Sequence, residues 1–508
     1  MGLKRNTAYN IAGAASSIIV ALVTIPPYLH QIGEARYGVL ALVWLMLGYF
    51  GLFDLGLSRA TANHIARLRG HAQADQEAVF WTAMLLNLGL GVVGGLVLYF
   101  VGGPLLYHWL KASPTIHAEA VAALPWIAAA VPLATSTAVM TGALIGKERF
   151  GMVNLMQIGG MLLFQTVPLL VAITVSPALY IIVPAAVLSR GVILVPLFLV
   201  VKRTLPLVGR PHIDRARARE LLGYGAWVTV TNIISPILST FDRFFIGAIL
   251  GAASVAYYDV PFRLAEKTRI VPIALSDALF PRLSGEPQDR AIVTSINATA
   301  VVNGFMTPLT VVALLLLSPF LTLWVGADFA QRAAPVGTVL LIGAWVNSLA
   351  QIPFAKLQAE GHPDWVAKAH VLEAVPYVAG LWWALHQFGL VGAAFAWTAR
   401  VAVDAALLFG FARMIGKVWA PLVLSGALVG AGWLATTVHL PLVARVAVEF
   451  GVVAASGIWG LASSAALRIG MAAVWASACV RLRGLARPPK SARRNESGTV
   501  RNIARNEK

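Results

Sequence analysis

The chain has 508 residues, 58% of them hydrophobic and only 12% charged, with a mean hydropathy of +0.76. Soluble domains carry about 25% charged residues, so this composition excludes a soluble globular protein and requires an integral membrane protein. The net charge of +17 comes from basic residues that punctuate the ends of apolar runs, which is the pattern of membrane topology and not of a nucleic-acid partner. The single cysteine, Cys479, excludes an intramolecular disulfide framework and any cysteine-built metal site.

Transmembrane barrels alternate polar and apolar residues in short segments, whereas the apolar runs here are uninterrupted and long enough for helices. Lys4 and Arg5 precede the first run, which contains Pro26-Pro27 and lacks a small-residue cleavage site, so it is expected to be a retained span and not a signal peptide. Runs fall at about 8–29, 37–56, 78–106, 119–144, 151–175 and 178–201. A basic stretch, Lys202 to Glu220, separates them from runs at about 221–249, 254–280, 292–317, 335–356, 368–387, 391–412, 418–437 and 445–466.

These runs predict fourteen spans with both termini cytoplasmic. In that orientation the inside segments hold 28 Lys and Arg and the outside segments hold four, Arg36, Lys111, Arg332 and Arg445. The run Ile469–Val480 is too short to span and reads as an interfacial helix before a basic, disordered tail. The expected division is a six-helix lobe at 1–201, a linker at 202–220, a second six-helix lobe at 221–415, two further helices at 416–466, and an interfacial helix with tail at 467–508. Six spans per lobe means both lobes enter from the same side, as parallel repeats do.

Polar residues inside the spans fall into stripes. Asn10, Ser17 and Thr24 repeat every seven residues on the first span; Thr229, Asn232, Ser235, Ser239 and Asp242 share one face of the seventh, with Pro236 among them. Such groups serve either as interhelical hydrogen-bond glue or as the lining of a polar cavity. Charge is sharpest in the eighth span. Glu266 and Lys267 lie roughly 18–20 Å from its outer end, past the middle of a hydrocarbon core about 30 Å thick. Arg263 can pair with Asp259 or Glu266, Arg400 and Asp404 form an i,i+4 pair on the twelfth span, and Arg190 has no acid within a turn. Seven basic in-span residues face seven acidic ones, Asp54 among them, so any one of them can be a structural pair. Together they imply water, hence a cavity, and an anionic client suited to arginine's two-point grip on phosphate.

Gly89-Leu90-Gly91-Val92-Val93-Gly94 matches the dinucleotide fingerprint but lies inside a span without βαβ context, so it is a false match. Gly91, Gly95, Gly247 and Gly251 are expected to admit close helix approach. The ten histidines show no metal spacing in sequence, and no metal site is expected.

Several motifs together carry a resemblance: Asn10 and Pro26, Gly33-x-x-x-Tyr37-Gly38, Asp54-Leu55-Gly56-Leu57, Gly146-Lys147-Glu148-Arg149-Phe150, Asp242-Arg243-Phe244-Phe245-Ile246-Gly247 with Leu250-Gly251 and Tyr257, Phe280-Pro281-Arg282-Leu283-Ser284, and Ala359-x-Gly361-His362-Pro363. The chain resembles the polysaccharide transporter (Wzx-type flippase) family of the multidrug/oligosaccharidyl-lipid/polysaccharide exporter superfamily. The resemblance implies an all-α fold of about fourteen transmembrane helices, with two six-helix lobes in a V around a central cavity plus two C-terminal helices. It also implies flipping of undecaprenyl-pyrophosphate-linked oligosaccharide across the bacterial inner membrane by alternating access, with H+ or Na+ as the coupling ion. The expected partners are the lipid-linked glycan, membrane lipids, and the polysaccharide polymerase and chain-length machinery.

On that expectation Arg190, Arg263, Lys267, Arg269 and Arg400 attract the pyrophosphate, Asp242, Glu266, Asp404 and Asp54 are coupling or gating candidates, and Asn10, Ser17, Asn232, Ser235 and Ser239 form the polar stripe. A membrane glycosyltransferase or polymerase would place catalytic groups on a sizeable outside loop, and the longest here is about Ser318 to Ala334. A drug antiporter of the same superfamily would favour an acidic pocket over this cationic one.

Overall fold

Long apolar runs in lipid must satisfy their own backbone, which forces helix, and the computed structural model is helical with no strand among its described residues. Those are residues 3–48, 54–68, 73–205, 207–221, 240–438, 440–469 and 472, excepting the side chains of 3–18, 47–48, 73 and 363. Helices α1 (Leu3–Gly48), α2 (Leu57–Arg67), α3 (Gln73–Trp109), α4 (Pro114–Gly146), α5 (Phe150–Thr174) and α6 (Leu179–Thr204) form the first group. After a helical stretch at 240–249 come α7 (Ala252–Lys267), α8 (Ile270–Gly285), α9 (Gln288–Trp324), α10 (Ala327–Ala359), α11 (Pro363–Phe411), α12 (Ile415–Thr437) and α13 (Leu442–Ser463). Nine helices among the described residues are long and apolar enough to cross a membrane.

Several expected boundaries shift. The first two runs are two helices, together labelled α1, that meet at a kink at Gly33, whose φ of 78° is the left-handed region glycine tolerates. The second run continues past Leu57 as α2. Asp54 caps that restart, accepting bonds from the Ser58 hydroxyl (2.6 Å) and backbone N–H and from Asn87. Runs eleven and twelve likewise are two helices, together labelled α11, that meet at Gly389. The expected outside loop at 318–334 is helical except for Val325 and Gly326, so that end of the molecule is built from tight turns. The expected interfacial helix at 469–480 lies almost wholly outside the described residues.

Within the first group α3 packs on α4, and α4 and α5 on α6. A β-carbon on Gly91 would come 2.7 Å from the Pro132 backbone and one on Gly95 2.6 Å from the Ala128 carbonyl, so these two glycines do permit close crossing of α3 and α4. In the second group α10 packs between α9 and α11, and α12 and α13 dock on α9. Gly304 and Gly460 face each other there, and Ser425 accepts bonds from both Asn303 and Trp459.

The two groups meet along α1 and α7. We call this side the hairpin end, because it carries the short turns at 110–113 and 325–326; the opposite side is the linker end. A β-carbon on Gly38 would fall 1.8 Å from the Ala252 carbonyl, so only hydrogen fits. Tyr257 donates to Glu34 and accepts from Arg332, while the Lys111 ammonium caps the Ile249 carbonyl. Pro26 cannot donate to Leu22, and Trp324 donates to that released carbonyl at 2.7 Å from across the interface. At the linker end, residues 207–221 lie against the first group through Gly209–Glu77, Asp214–Thr82 and Arg217–Asp75 contacts.

Candidate functional site: a cationic cavity between the helix groups

The expected eighth span is not one helix. It stops at Lys267 and restarts at Ile270, leaving Thr268 and Arg269 at a break midway through the run. Broken helices are tolerated at this depth only where they line protein or water. The last turn of α7 tightens, with the Thr268 and Arg269 N–H groups donating to the Ala265 and Glu266 carbonyls, and the negative end of its dipole favours the cations Lys267 and Arg269 beside it.

Next to the break lies a cavity of about 600 Å³ between the two helix groups. Ala21, Trp44, Leu45, Met161, Phe164 and Gln165 form its first-group wall. Arg243, Arg263, Lys267, Arg269 and Arg400 line the other, with only Asp259 and Glu266 as carboxylates, and with Asn347, Phe262 and Trp397. Tertiary packing thus collects five cations from three separated stretches of chain.

Their arrangement is layered. At the back Asp242 and Arg243 are almost completely buried and paired at 2.8 Å. Arg243 also reaches Asp259 at 3.4 Å and lies 3.8 Å over the Phe262 ring, while the Tyr258 hydroxyl donates to Asp242. Asp259 has a second cation, Arg263, on its other oxygen at 2.5 Å. Asp242 and Arg243 are therefore a clasp behind the cavity, and Arg263, about a third exposed, is the face that clasp presents. Arg269 holds Glu266 through both carboxylate oxygens, at 2.7 and 2.9 Å.

Arg400 does not pair with Asp404 as the i,i+4 spacing predicts. The hairpin at Gly389 folds the two halves of α11 together, and Arg400 takes Glu373 from the other half at 3.0 Å and stacks on Tyr377. Asp404 instead faces His370 at 3.6 Å. His370, Glu373 and Asp404 bring ligand atoms within 4.8 Å of one another, and one oxygen each of Glu373 and Asp404 is buried without a hydrogen bond. That geometry can hold a cation, which the spacing of the residues in sequence does not indicate. Spacing concealed it because the third residue arrives only through the hairpin.

Arg190 stands apart from the other expected substrate ligands. It lines a second pocket of about 960 Å³ among α2, α4, α5 and α6, which shares Met161 and Phe164 with the central cavity. Its guanidinium lies 4.5 Å over the Phe164 ring.

Of the sequence candidates, then, Arg263, Lys267, Arg269, Arg400 and Glu266 come together around one cavity. Asp242 is behind it, Asp404 is in the His370 cluster, and Asp54 is a helix cap. The side chains of Asn10 and Ser17, and all of Asn232, Ser235 and Ser239, lie outside the described residues. Sequence reasoning missed Trp44, Gln165 and Asn347 as lining residues, and Arg59 in the second pocket. Arg59 follows the Asp54 cap by five residues, and its place in a helix was hidden by the end of the apolar run.

Residues 3–285 match the family model described as "Polysaccharide biosynthesis protein". The protein named "Putative O-antigen transporter" from Shigella flexneri is 30% identical over 409 residues, which is 80% of this chain and 97% of that protein. Among solved structures, the lipid II flippase MurJ in an inward closed conformation superposes with a TM-score of 0.67 at 12% identity, covering 88% of this chain and 98% of that one. An inward-facing multidrug resistance MATE transporter of the MOP superfamily gives 0.62 at 16% identity, covering 82% and 94%. All-helical lobes flanking a central cavity are thus a shared fold.

Proposed function

Because the chain belongs to the polysaccharide biosynthesis protein family, we propose that it is a flippase for polyprenyl-pyrophosphate-linked oligosaccharide in the bacterial inner membrane. The observation that carries this reading is the central cavity, lined by five cations that, with Asp242 and Glu373 counted behind Arg243 and Arg400, face four carboxylates and keep a positive excess of one. A pyrophosphate is the anion such a surface fits, since guanidinium groups bind phosphate oxygens in pairs. Arg263 and Arg400 are its main ligands, with Lys267 and Arg269 adding charge at the helix break. The linker end and both termini are cytoplasmic, and the seam at the hairpin end is the periplasmic gate in its closed position. Alternating access then consists of parting α1 from α7 while the linker end closes. A repeat-unit glycan of the O-antigen type is the cargo, and the protein works as a transporter beside the polymerase and chain-length machinery.

A cation-coupled cycle needs a site that carries charge in one state and not the other. The His370–Glu373–Asp404 cluster is where we place the coupling ion, H+ or Na+, because one oxygen each of Glu373 and Asp404 is buried with no hydrogen bond among the described residues.

The reading is tested by deleting the gene and identifying the lipid-linked glycan that accumulates. An oligosaccharide on polyprenyl pyrophosphate, retained on the cytoplasmic face, is the expected result. No such accumulation, or glycan already displayed on the periplasmic face, rejects it.

A further inference from the structure

The second pocket carries two cations of its own, Arg59 from the first turn of α2 and Arg190 from the middle of α6. No carboxylate lines it, and neither arginine has an ion pair or hydrogen bond among the described residues. The only acids outside the described residues are Glu496 and Glu507 in the C-terminal tail. The Arg190 guanidinium lies over the Phe164 ring and lines the pocket. Arg190, half-buried beside a largely apolar helix wall, is costly without a counter-charge, while Arg59 is exposed and adds positive charge to the same pocket.

The remaining polar lining is of a different kind from the central cavity. Asn63, Gln157, Thr137 and Thr141 supply amides and hydroxyls, the groups that match sugar hydroxyls as both donors and acceptors. The Thr137 hydroxyl donates to the Leu133 carbonyl, which leaves its oxygen to accept. At about 960 Å³ the pocket is larger than the 600 Å³ cavity proposed for the pyrophosphate, and the two adjoin at Met161 and Phe164. In a lipid-linked glycan the first sugar is bonded directly to the pyrophosphate and the next follow it, so a sugar site must lie beside the phosphate site.

We propose that the pocket among α2, α4, α5 and α6 is the glycan subsite of the transporter, and that Arg59 and Arg190 select a glycan whose first sugars include one bearing a carboxylate. This rests on the central cavity holding the pyrophosphate. Arg59 and Arg190 bind the sugar carboxylate, the amides and threonines bind ring hydroxyls, and Phe164 divides the two subsites.

The test is ligand-observed NMR on the full chain in lipid nanodiscs, with a glucuronic-acid-containing disaccharide, its neutral glucose counterpart, and inorganic pyrophosphate as probes. Wild-type protein is expected to bind the acidic disaccharide about tenfold or more tighter than the neutral one, as a charge-assisted contact implies. R59Q/R190Q removes that preference and leaves pyrophosphate binding in place, while R263Q/R400Q does the reverse. Equal binding of the two disaccharides by wild-type protein overturns the proposal without reference to any variant. So does loss of pyrophosphate binding in R59Q/R190Q, which would make the pocket part of the phosphate site. If R263Q/R400Q leaves pyrophosphate binding unchanged while the acidic preference persists, the reading of the central cavity falls and the sugar subsite stands.

Discussion

Helix α7 is two different surfaces in sixteen residues. Its first half, Ala252 to Val260, is buried against α1 with no space to spare: Gly38 meets the Ala252 carbonyl and Val255, and Tyr257 bridges Glu34 and Arg332. Its second half turns Arg263, Glu266 and Lys267 into a cavity. Where the helix groups touch, small residues and charges already tied to partners make a seam; where they part, cations accumulate. Only Asp259 belongs to both, buried in the packed half yet holding Arg263 at the cavity's edge.

Breaking that shared residue should have the largest effect on stability. Asp259→Asn leaves Arg243 and Arg263 without their common counter-charge, and one-sided removal from a buried pair costs about 3–5 kcal/mol. Folded protein recovered from membranes should drop sharply, as measured by fluorescence size-exclusion; normal yield would show that Asp242 alone suffices for Arg243.

Changes on the open half should act on transport beyond any loss of folded protein. Arg263→Gln combined with Arg400→Gln removes two charge-assisted contacts to phosphate, worth about 1.5–3 kcal/mol each, so export should fall at least about a hundredfold at equal membrane level. Surface glycan in a deletion strain is the readout, and wild-type export would remove the cavity from the mechanism.

The closed half answers to size instead of charge. Gly38→Leu overpacks the seam at a cost of about 1–3 kcal/mol, and should bias the molecule toward a parted α1–α7 interface. Spin labels across the seam should report a longer distance; an unchanged distance would mean that α1 and α7 separate elsewhere. Least of all, Tyr257→Phe removes a hydroxyl that bridges Glu34 and Arg332. Interhelical hydrogen bonds in membranes average about 0.6 kcal/mol, so this variant should widen the same distance distribution only slightly and leave export within a few-fold.

The asymmetry of basic residues gains a physical meaning from the same comparison. Arg36 binds Glu119 through two bonds, Lys111 caps Ile249, Arg332 meets Tyr257 and Arg445 pairs with Glu449. All four cations that the sequence places outside have a partner in the structure, three of them in or beside the seam.

The amino-acid sequence by itself determined that this is an all-helical membrane protein with its runs and turns in these places, because apolar length and backbone hydrogen bonding in lipid leave no alternative. It also exposed Arg263, Lys267, Arg269 and Arg400 as residues needing explanation, since charge in an apolar run is visible without coordinates. Partner choice was beyond it. The i,i+4 rule joined Arg263 to Asp259 correctly, because both sit on one short helix, and joined Arg400 to Asp404 wrongly, because the Gly389 hairpin offers Glu373 at closer range. Likewise Arg190 looked like one of five equivalent cations, yet Phe164 separates it from the other four. Local spacing governs contacts within a helix; which charges share a cavity depends on how helices distant in sequence are packed, and that only the tertiary structure decided.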